Sequence, residues 1–205
     1  MIRSLSLAAV LLATALPARA APPPPEKWVD QELDVLNSVL AKDPSTHLAG
    51  LRTTFKDVID FQSFAQHAMA ERWTTITEKQ RVGLRDALQD LLESRYLVGE
   101  AKPIDRKKVL IGPGSVKGDL ADVDGTVKQR EVDVKFVLKL KAAADRWKVY
   151  DVIIDNLSLV DDYKAQFTAF LKKKSVDELI TRLHTRAQTY RKTGGAAAGA
   201  AKPKP

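Results

Sequence analysis

The hydrophobic pattern of this sequence changes its period near the middle of the chain. Up to Tyr96, apolar residues recur every three or four positions, which is typical of amphipathic helices. Beyond Pro103 they alternate with polar residues, which is typical of strands with one buried face. The helical period returns at Tyr163. Because helices and strands occupy separate stretches, the sequence predicts an α+β fold.

Capping patterns place several helix starts. Asp60 can cap a short helix, and Thr77 with Gln80 forms a capping box that opens a longer one. Ser175 and Glu178 form a second capping box before the last apolar helical run. Two further amphipathic helices are expected between residues 29 and 58.

Four strands are expected in the second half of the chain, over residues 107–111, 121–127, 132–140 and 147–160. The glycine-rich segment 111–115 is expected to be a turn between the first two. In the last strand, alternation predicts Trp147, Val149 and Ile153 on one face, with Val152 and Ile154 on the other.

The ends of the chain differ in composition from the body. Arg3, a short apolar run and a small-residue cleavage site predict a signal peptide over residues 1–20. Residues 21–26 are a proline-rich leader, and 27–190 are expected to form a single domain. Residues 191–205 hold little that can be buried, so a disordered Ala/Gly/Lys/Pro tail is expected. We therefore expect a secreted protein.

The formal charge of +7 is concentrated at the ends. The signal peptide accounts for two of these charges and the tail for four, so the body is nearly neutral and has no general attraction to nucleic acid. One basic stretch remains between Tyr163 and Tyr190. It is either a solvated helical face or a docking surface for an acidic partner or anionic lipid. The docking candidates are Lys172, Lys173, Lys174, Arg182 and Arg186.

The motifs of common enzymes are absent. The chain has no cysteine, and its three histidines are far apart, so neither a metal nor a cofactor is expected. An enzyme of this composition would have to use an isolated carboxylate, of which Asp151 is the best candidate for a general base. The alternative is that Asp151 is a structural residue that bonds to the backbone or to a lysine.

Residues Trp147–Val160 and Tyr163–Phe167 resemble the MlaC family, also called the toluene-tolerance family. The family has a W-K-V-Y-D-V strand, a G-V-S-L-V segment and an N-Y-R-x-Q-F helix start; an upstream W…T-x-x-Q-R…Y pattern is similar to Trp73 through Tyr96. The resemblance covers residues 27 to 190. Asn156 and Lys164 depart from it, since the family usually has Gly and Arg there.

The resemblance implies an NTF2-like curved antiparallel sheet joined to a helical subdomain, with an apolar cavity between them. It further implies a periplasmic, monomeric carrier without catalytic activity, which moves phospholipid between an outer-membrane lipoprotein complex and an inner-membrane ABC transporter. A hopanoid or another apolar lipid is the alternative ligand. Each expected lining residue has packing in an ordinary core as its alternative; these residues are Trp73, Tyr96, Val134, Phe136, Leu138, Trp147, Val149 and Phe167.

Overall fold

The computed structural model describes residues 21–42, 44–97, 103–129 and 132–193. The predicted signal peptide and residues 194–205 lie outside this part of the chain. The helices are α1 (Pro25–Leu40), α2 (Pro44–Val58), α3 (Phe61–Met69), α4 (Glu78–Tyr96), α5 (Leu159–Phe170) and α6 (Val176–Thr193). The strands are β1 (Val109–Lys117), β2 (Leu120–Val127), β3 (Val134–Ala143), β4 (Arg146–Ile154) and β5 (Leu157–Ser158). Short 3₁₀ helices cover Ala70–Thr74 and Arg106–Lys108.

The five strands form one curved antiparallel sheet in the order β1-β2-β3-β4-β5. Together with the helices it confirms the predicted α+β fold. Ile59, between α2 and α3, makes a single parallel bridge to Val149 at the β4 edge. The bridge fixes the connection between α2 and the helical subdomain, α3 to α6, against the edge of the sheet.

The described residues form two large hydrophobic cores and a small cluster of Val39, Leu40 and Leu51 between α1 and α2. The helical core joins α3, α4, α5 and α6 around the buried side chains of Leu84, Leu88, Leu91 and Leu183. The sheet core lies between α1 and one face of the sheet, which we call the inner face. Its buried residues are Trp28, Val29, Ala121, Val123, Leu140, Trp147 and Val149.

The helix starts predicted from capping patterns are confirmed. Asp60 accepts a hydrogen bond from the Ser63 amide at 2.9 Å. Thr77 and Gln80 form a reciprocal capping box at the start of α4. The Glu178 amide donates to the Ser175 hydroxyl, and Glu178 in turn accepts from the Ser175 amide.

The expected turn at 111–115 is wrong. This segment lies inside β1, and the chain reverses instead at Gly118, which has φ +65°. The pairing of β1 with β2 is irregular between Ile111 and Gly114, where Pro113 is accommodated. A side chain at Gly114 would not fit, because a Cβ atom there would lie 2.3 Å from Cγ of Pro25.

The expected long strand over 147–160 is also wrong in two respects. It ends at Ile154, and a turn at Asp155 and Asn156, with φ of +48° and +66°, leads into β5 and α5. Within β4, Val149 pairs with Leu140 while Asp151 pairs with Lys139. Tyr150 is therefore an extra, bulged residue, and the strand beyond it changes faces.

The start of the predicted tail differs as well. The last helix extends to Thr193, three residues into that segment. Its Arg191 forms an ion pair with Asp90 of α4 and donates to the Ser94 hydroxyl at 2.7 Å. Within the described residues, no helix is both long and apolar enough to cross a membrane.

Candidate ligand-binding surface

The inner face of the sheet carries an unbroken row of apolar residues on β3. Residues that pair directly in an antiparallel sheet share a face, so the alternation on β3 places Val134, Phe136, Leu138 and Leu140 on the inner face. Because of the bulge at Tyr150, the β4 residues beside them are Trp147, Val149, Val152 and Ile154. Ile153 thus lies on the opposite face, contrary to expectation.

The two ends of the inner face differ in burial. At the end near the β3–β4 turn, α1 covers the sheet and Leu140, Trp147 and Val149 are buried. At the other end the apolar residues are only partly buried, and Ile154 is 48% exposed. We call this second region the open end; it comprises Val127, Val134, Phe136, Val152 and Ile154.

Phe136 lies across the open end. A Cβ atom built on Gly125 would be 2.1 Å from the tip of the Phe136 ring, so the ring packs directly against the backbone of this glycine. The absence of a side chain at Gly125 lets the ring lie flat on the sheet. The sequence places Gly125 in a strand but gives no signal for this contact.

The structure separates the eight expected lining residues into four groups. Val134, Phe136 and Leu138 lie together on β3, partly buried on the inner face, and Leu138 also packs against the sheet core. Trp147 and Val149 share that face but are buried in the sheet core.

Three expected lining residues are elsewhere. Trp73 and Phe167 are buried in the helical core. Tyr96 is 43% exposed at the C-terminus of α4, where Arg95 packs against its ring and partial burial raises the pKa of its hydroxyl. None of the three belongs to the inner face.

Asp151 is structural. It is 8% exposed, and its carboxylate accepts hydrogen bonds from the amides of Val152 and Val160 and from the Ser158 hydroxyl, at 2.6–2.9 Å. These three donors fix the turn between β4 and the first turn of α5. The oxygens are committed to the fold, which disfavours Asp151 as a general base.

The expected docking residues lie along α6 and the turn before it. Lys172 and Lys173 are exposed, and Lys174 forms an ion pair with Glu178 at 2.8 Å. Arg182 and Arg186 lie on one side of α6, above a groove between this helix and α5. The groove has a lining residue that the sequence analysis missed, Arg95 of α4.

Metal binding finds no support in the part of the chain that the structure describes. There, no group of three or more histidine and acidic residues is close enough to hold an ion. His67 stacks on Tyr150 with ring centroids 4.8 Å apart, and His184 faces Asp90. His67 thus packs between α3 and β4, and His184 forms a polar contact between α6 and α4.

Fold and surface together define a small α+β protein with a partly uncovered apolar sheet face. The family described as MlaC protein matches residues 26–185, and the chain belongs to this family. Its structure is similar to that of a phospholipid-binding protein from Ralstonia solanacearum, solved in complex with a phospholipid, with a TM-score of 0.70 and 23% sequence identity. The match covers 82% of this chain and 99% of that one. None of the curated proteins matches the sequence.

Proposed function

We propose that this protein is a carrier that holds the acyl chains of a phospholipid against the inner face of its sheet. The observation that carries the proposal is the row of apolar, partly buried residues at the open end. In a packed core such residues would be covered, and on an ordinary solvated face they would be polar. The phospholipid bound to the Ralstonia solanacearum neighbour supports this class of ligand.

The energetics of lipid transfer require an enclosed site. At ~0.8 kcal/mol per buried methylene, two acyl chains lose on the order of 20 kcal/mol when they leave a bilayer. Val134, Phe136 and Leu138 provide the apolar surface that offsets part of this loss, and Trp147 and Val149 form the inner limit of the site. The headgroup remains in water at the open end.

Membership of the family supports a proposal for the route of transport. We propose that the carrier works in the periplasm as a monomer, and moves phospholipid between an outer-membrane lipoprotein complex and an inner-membrane ABC transporter. Lys172, Lys173, Lys174, Arg182 and Arg186 form the proposed docking surface for these complexes. The carrier binds and releases its ligand without a chemical step.

Identification of the co-purified ligand tests the proposal directly. Native mass spectrometry of the freshly purified full-length protein should show a mass increase that corresponds to one diacyl phospholipid, and solvent extraction should identify the lipid. If the extracted lipid is a hopanoid, the position of the site stands and the class of ligand changes. A protein with no lipid, which also fails to take one up from phospholipid vesicles, would contradict the proposal.

Bulk added to the inner face tests the position of the site. Phe136→Trp and Leu138→Trp should lower lipid occupancy several-fold and leave the melting temperature nearly unchanged, because an unfilled site accepts volume that a packed core resists at about 1–3 kcal/mol. Lys135→Trp, on the opposite face of the same strand, is the control and should change neither quantity. If Leu138→Trp instead unfolds the protein, Leu138 is part of a packed core.

A further inference from the structure

The helical subdomain contains a groove that the proposed lipid site does not use. Helices α5 and α6 are joined by a short turn. Helix α5 packs against α3, and α6 packs against α4. The groove between α5 and α6 has a volume of about 1590 Å³. Its floor includes Phe167, Leu179 and Leu183, all buried in the helical core.

Three arginines line this groove. The Arg182 guanidinium lies 5.2 Å from the centre of the Phe170 ring. Arg186 donates to the Gln166 side-chain oxygen at 3.2 Å and to the Tyr190 hydroxyl at 3.4 Å. Arg95 enters from α4, with its guanidinium 5.9 Å from the centre of the Tyr190 ring.

Their charges are not neutralised within the described residues, where none of the three forms an ion pair. They are held instead by aromatic rings and neutral hydrogen-bond acceptors. Because guanidinium groups favour carboxylates and phosphates as bidentate partners, they remain available to an anionic ligand.

The acidic residues of the groove are already engaged. Asp162 accepts from the Gln166 amide at 2.9 Å, and Asp177 accepts from the Gln80 amide on α4. Glu178 is paired with Lys174 and bonded to Ser175, and these hydrogen bonds lower its pKa to about 2. The neutral amides do not cancel the charges of Asp162 and Asp177, so the lining, with four basic and three acidic residues, has a net charge of +1. Arg182 and Arg186 place positive charge along the middle of α6, beyond Asp177 and Glu178 at its start.

The shape of the groove selects among anionic ligands. Arg182 and Arg186 are four residues apart, about 6 Å along the helix axis, and the lining from Glu178 to Tyr190 extends about 18 Å. A helix of about twelve residues has this length, and carboxylates one turn apart on it have the same spacing. The arginines lie along the wall of a concave groove, which a flat bilayer surface meets poorly.

We propose that the α5–α6 groove binds an acidic amphipathic helix of a partner protein. Carboxylates one turn apart on that helix pair with Arg182 and Arg186, its apolar side packs over Phe170 and the groove floor, and Arg95 pairs with an acid at its end. This inference rests on the docking surface proposed above, which includes Arg182 and Arg186, and names the chemistry of its partner. It does not require bound lipid, since the groove lies on the helical subdomain and the proposed lipid site on the inner face of the sheet.

An array of stapled helical peptides tests the proposal on the full mature chain. Each fourteen-residue peptide has the same composition, with two glutamates separated by two to seven positions, and binding is measured by fluorescence anisotropy. Affinity should be highest at separations of three and four. Equal affinity at all separations would mean that only net charge is sensed, and no saturable binding at any separation would also overturn the proposal.

Matched variants locate the binding site. Arg182→Glu with Arg186→Glu should weaken the best peptide by at least about tenfold, since like charges then face each other. Lys79→Glu with Lys164→Glu changes the net charge equally on exposed positions outside the groove lining, and should leave the affinity within about twofold. Equal weakening in both pairs would overturn the assignment to the groove.

Two further measurements separate this proposal from its alternatives. Vesicles with 30% phosphatidylglycerol should bind the wild type and the Arg182→Glu, Arg186→Glu variant equally weakly; strong binding that this variant loses would assign the arginines to a membrane instead. Lipid occupancy, measured by native mass spectrometry, should be unchanged in the variant. Absence of lipid in every form would contradict the carrier function and leave the peptide result standing.

Discussion

At the scale of single residues, Asp151 shows how one buried carboxylate can determine a local fold. It joins the end of β4 to the start of α5 through three hydrogen bonds, one of them to the buried Val160 amide. Asp151→Ala leaves these donors without their acceptor and should lower the free energy of unfolding by about 2–3 kcal/mol. Urea denaturation measures the loss. Ser158→Ala removes one donor and should cost less; a stable Asp151→Ala protein would contradict the structural role.

The buried hydroxyl of Tyr163 should make the free energy of unfolding depend on pH in the alkaline range. Burial in the helical core raises the pKa of its hydroxyl to about 12. Between its unfolded pKa of about 10 and this folded value, the unfolded state has released the proton while the folded state retains it. Stability is therefore complete below pH 10 and falls as the pH rises toward 12.

Denaturation at a series of alkaline pH values, compared with Tyr163→Phe, checks this expectation. The variant should lose stability less steeply above pH 10, and some slope should remain because burial also raises the pKa values of Tyr96 and Tyr150. Identical slopes in the two proteins would mean that Tyr163 ionises freely while folded.

At the scale of elements, sequence predicts helix starts better than strand faces. The capping boxes of α4 and α6 depend on residues three positions apart, and such local contacts can be read from a sequence. The bulge at Tyr150 cannot, because β4 is apolar on both faces and one extra residue leaves its hydrophobic pattern unchanged. That single residue moves Ile153 to the other face of the sheet.

The turn after β4 explains one departure from the family pattern. Asn156 stands where the family usually has Gly, and it has φ +66°. Asparagine tolerates this left-handed conformation better than other residues with side chains, so the turn survives the change. Asp155 before it, with φ +48°, bonds to the Lys135 amide.

Substitutions at this turn should follow backbone preference. Asn156→Gly should be neutral or stabilise by a few tenths of a kcal/mol, whereas Asn156→Val should cost roughly 1–2 kcal/mol because a β-branched residue is strained at positive φ. Thermal denaturation of the two variants beside the wild type measures the difference. Equal melting temperatures for Gly and Val would show that the turn relaxes to another conformation.

At the scale of the whole molecule, the sequence identifies apolar residues but not the core to which each belongs. Trp73 and Phe167 occupy apolar positions of the kind that a cavity-lining residue would also occupy in the sequence. Both nevertheless lie in the helical core. Phe136 differs from them only in its position at the end of the sheet that α1 leaves uncovered. Whether a side chain is covered depends on contacts between distant elements, which periodicity does not contain.

Holding a lipid and delivering it should respond differently to salt. Burial of acyl chains is apolar and responds little to salt, whereas docking through exposed basic residues is screened as the Debye length falls from about 10 Å at 0.1 M to about 3 Å at 1 M. Protein loaded with a fluorescent phospholipid should therefore keep its lipid at 1 M salt, while transfer to the partner complexes in proteoliposomes should slow.

Charge reversal at the exposed residues Lys172 and Lys173 should reproduce this slowing at low salt, with lipid occupancy unchanged. Lys79→Glu reverses a charge on the exposed side of α4 and is the control. It should leave the transfer rate within about twofold of the wild type. If transfer is equally fast at both salt concentrations and in the reversed variant, the basic turn before α6 is an ordinary solvated surface. Docking must then depend on surfaces whose contacts are not screened by salt.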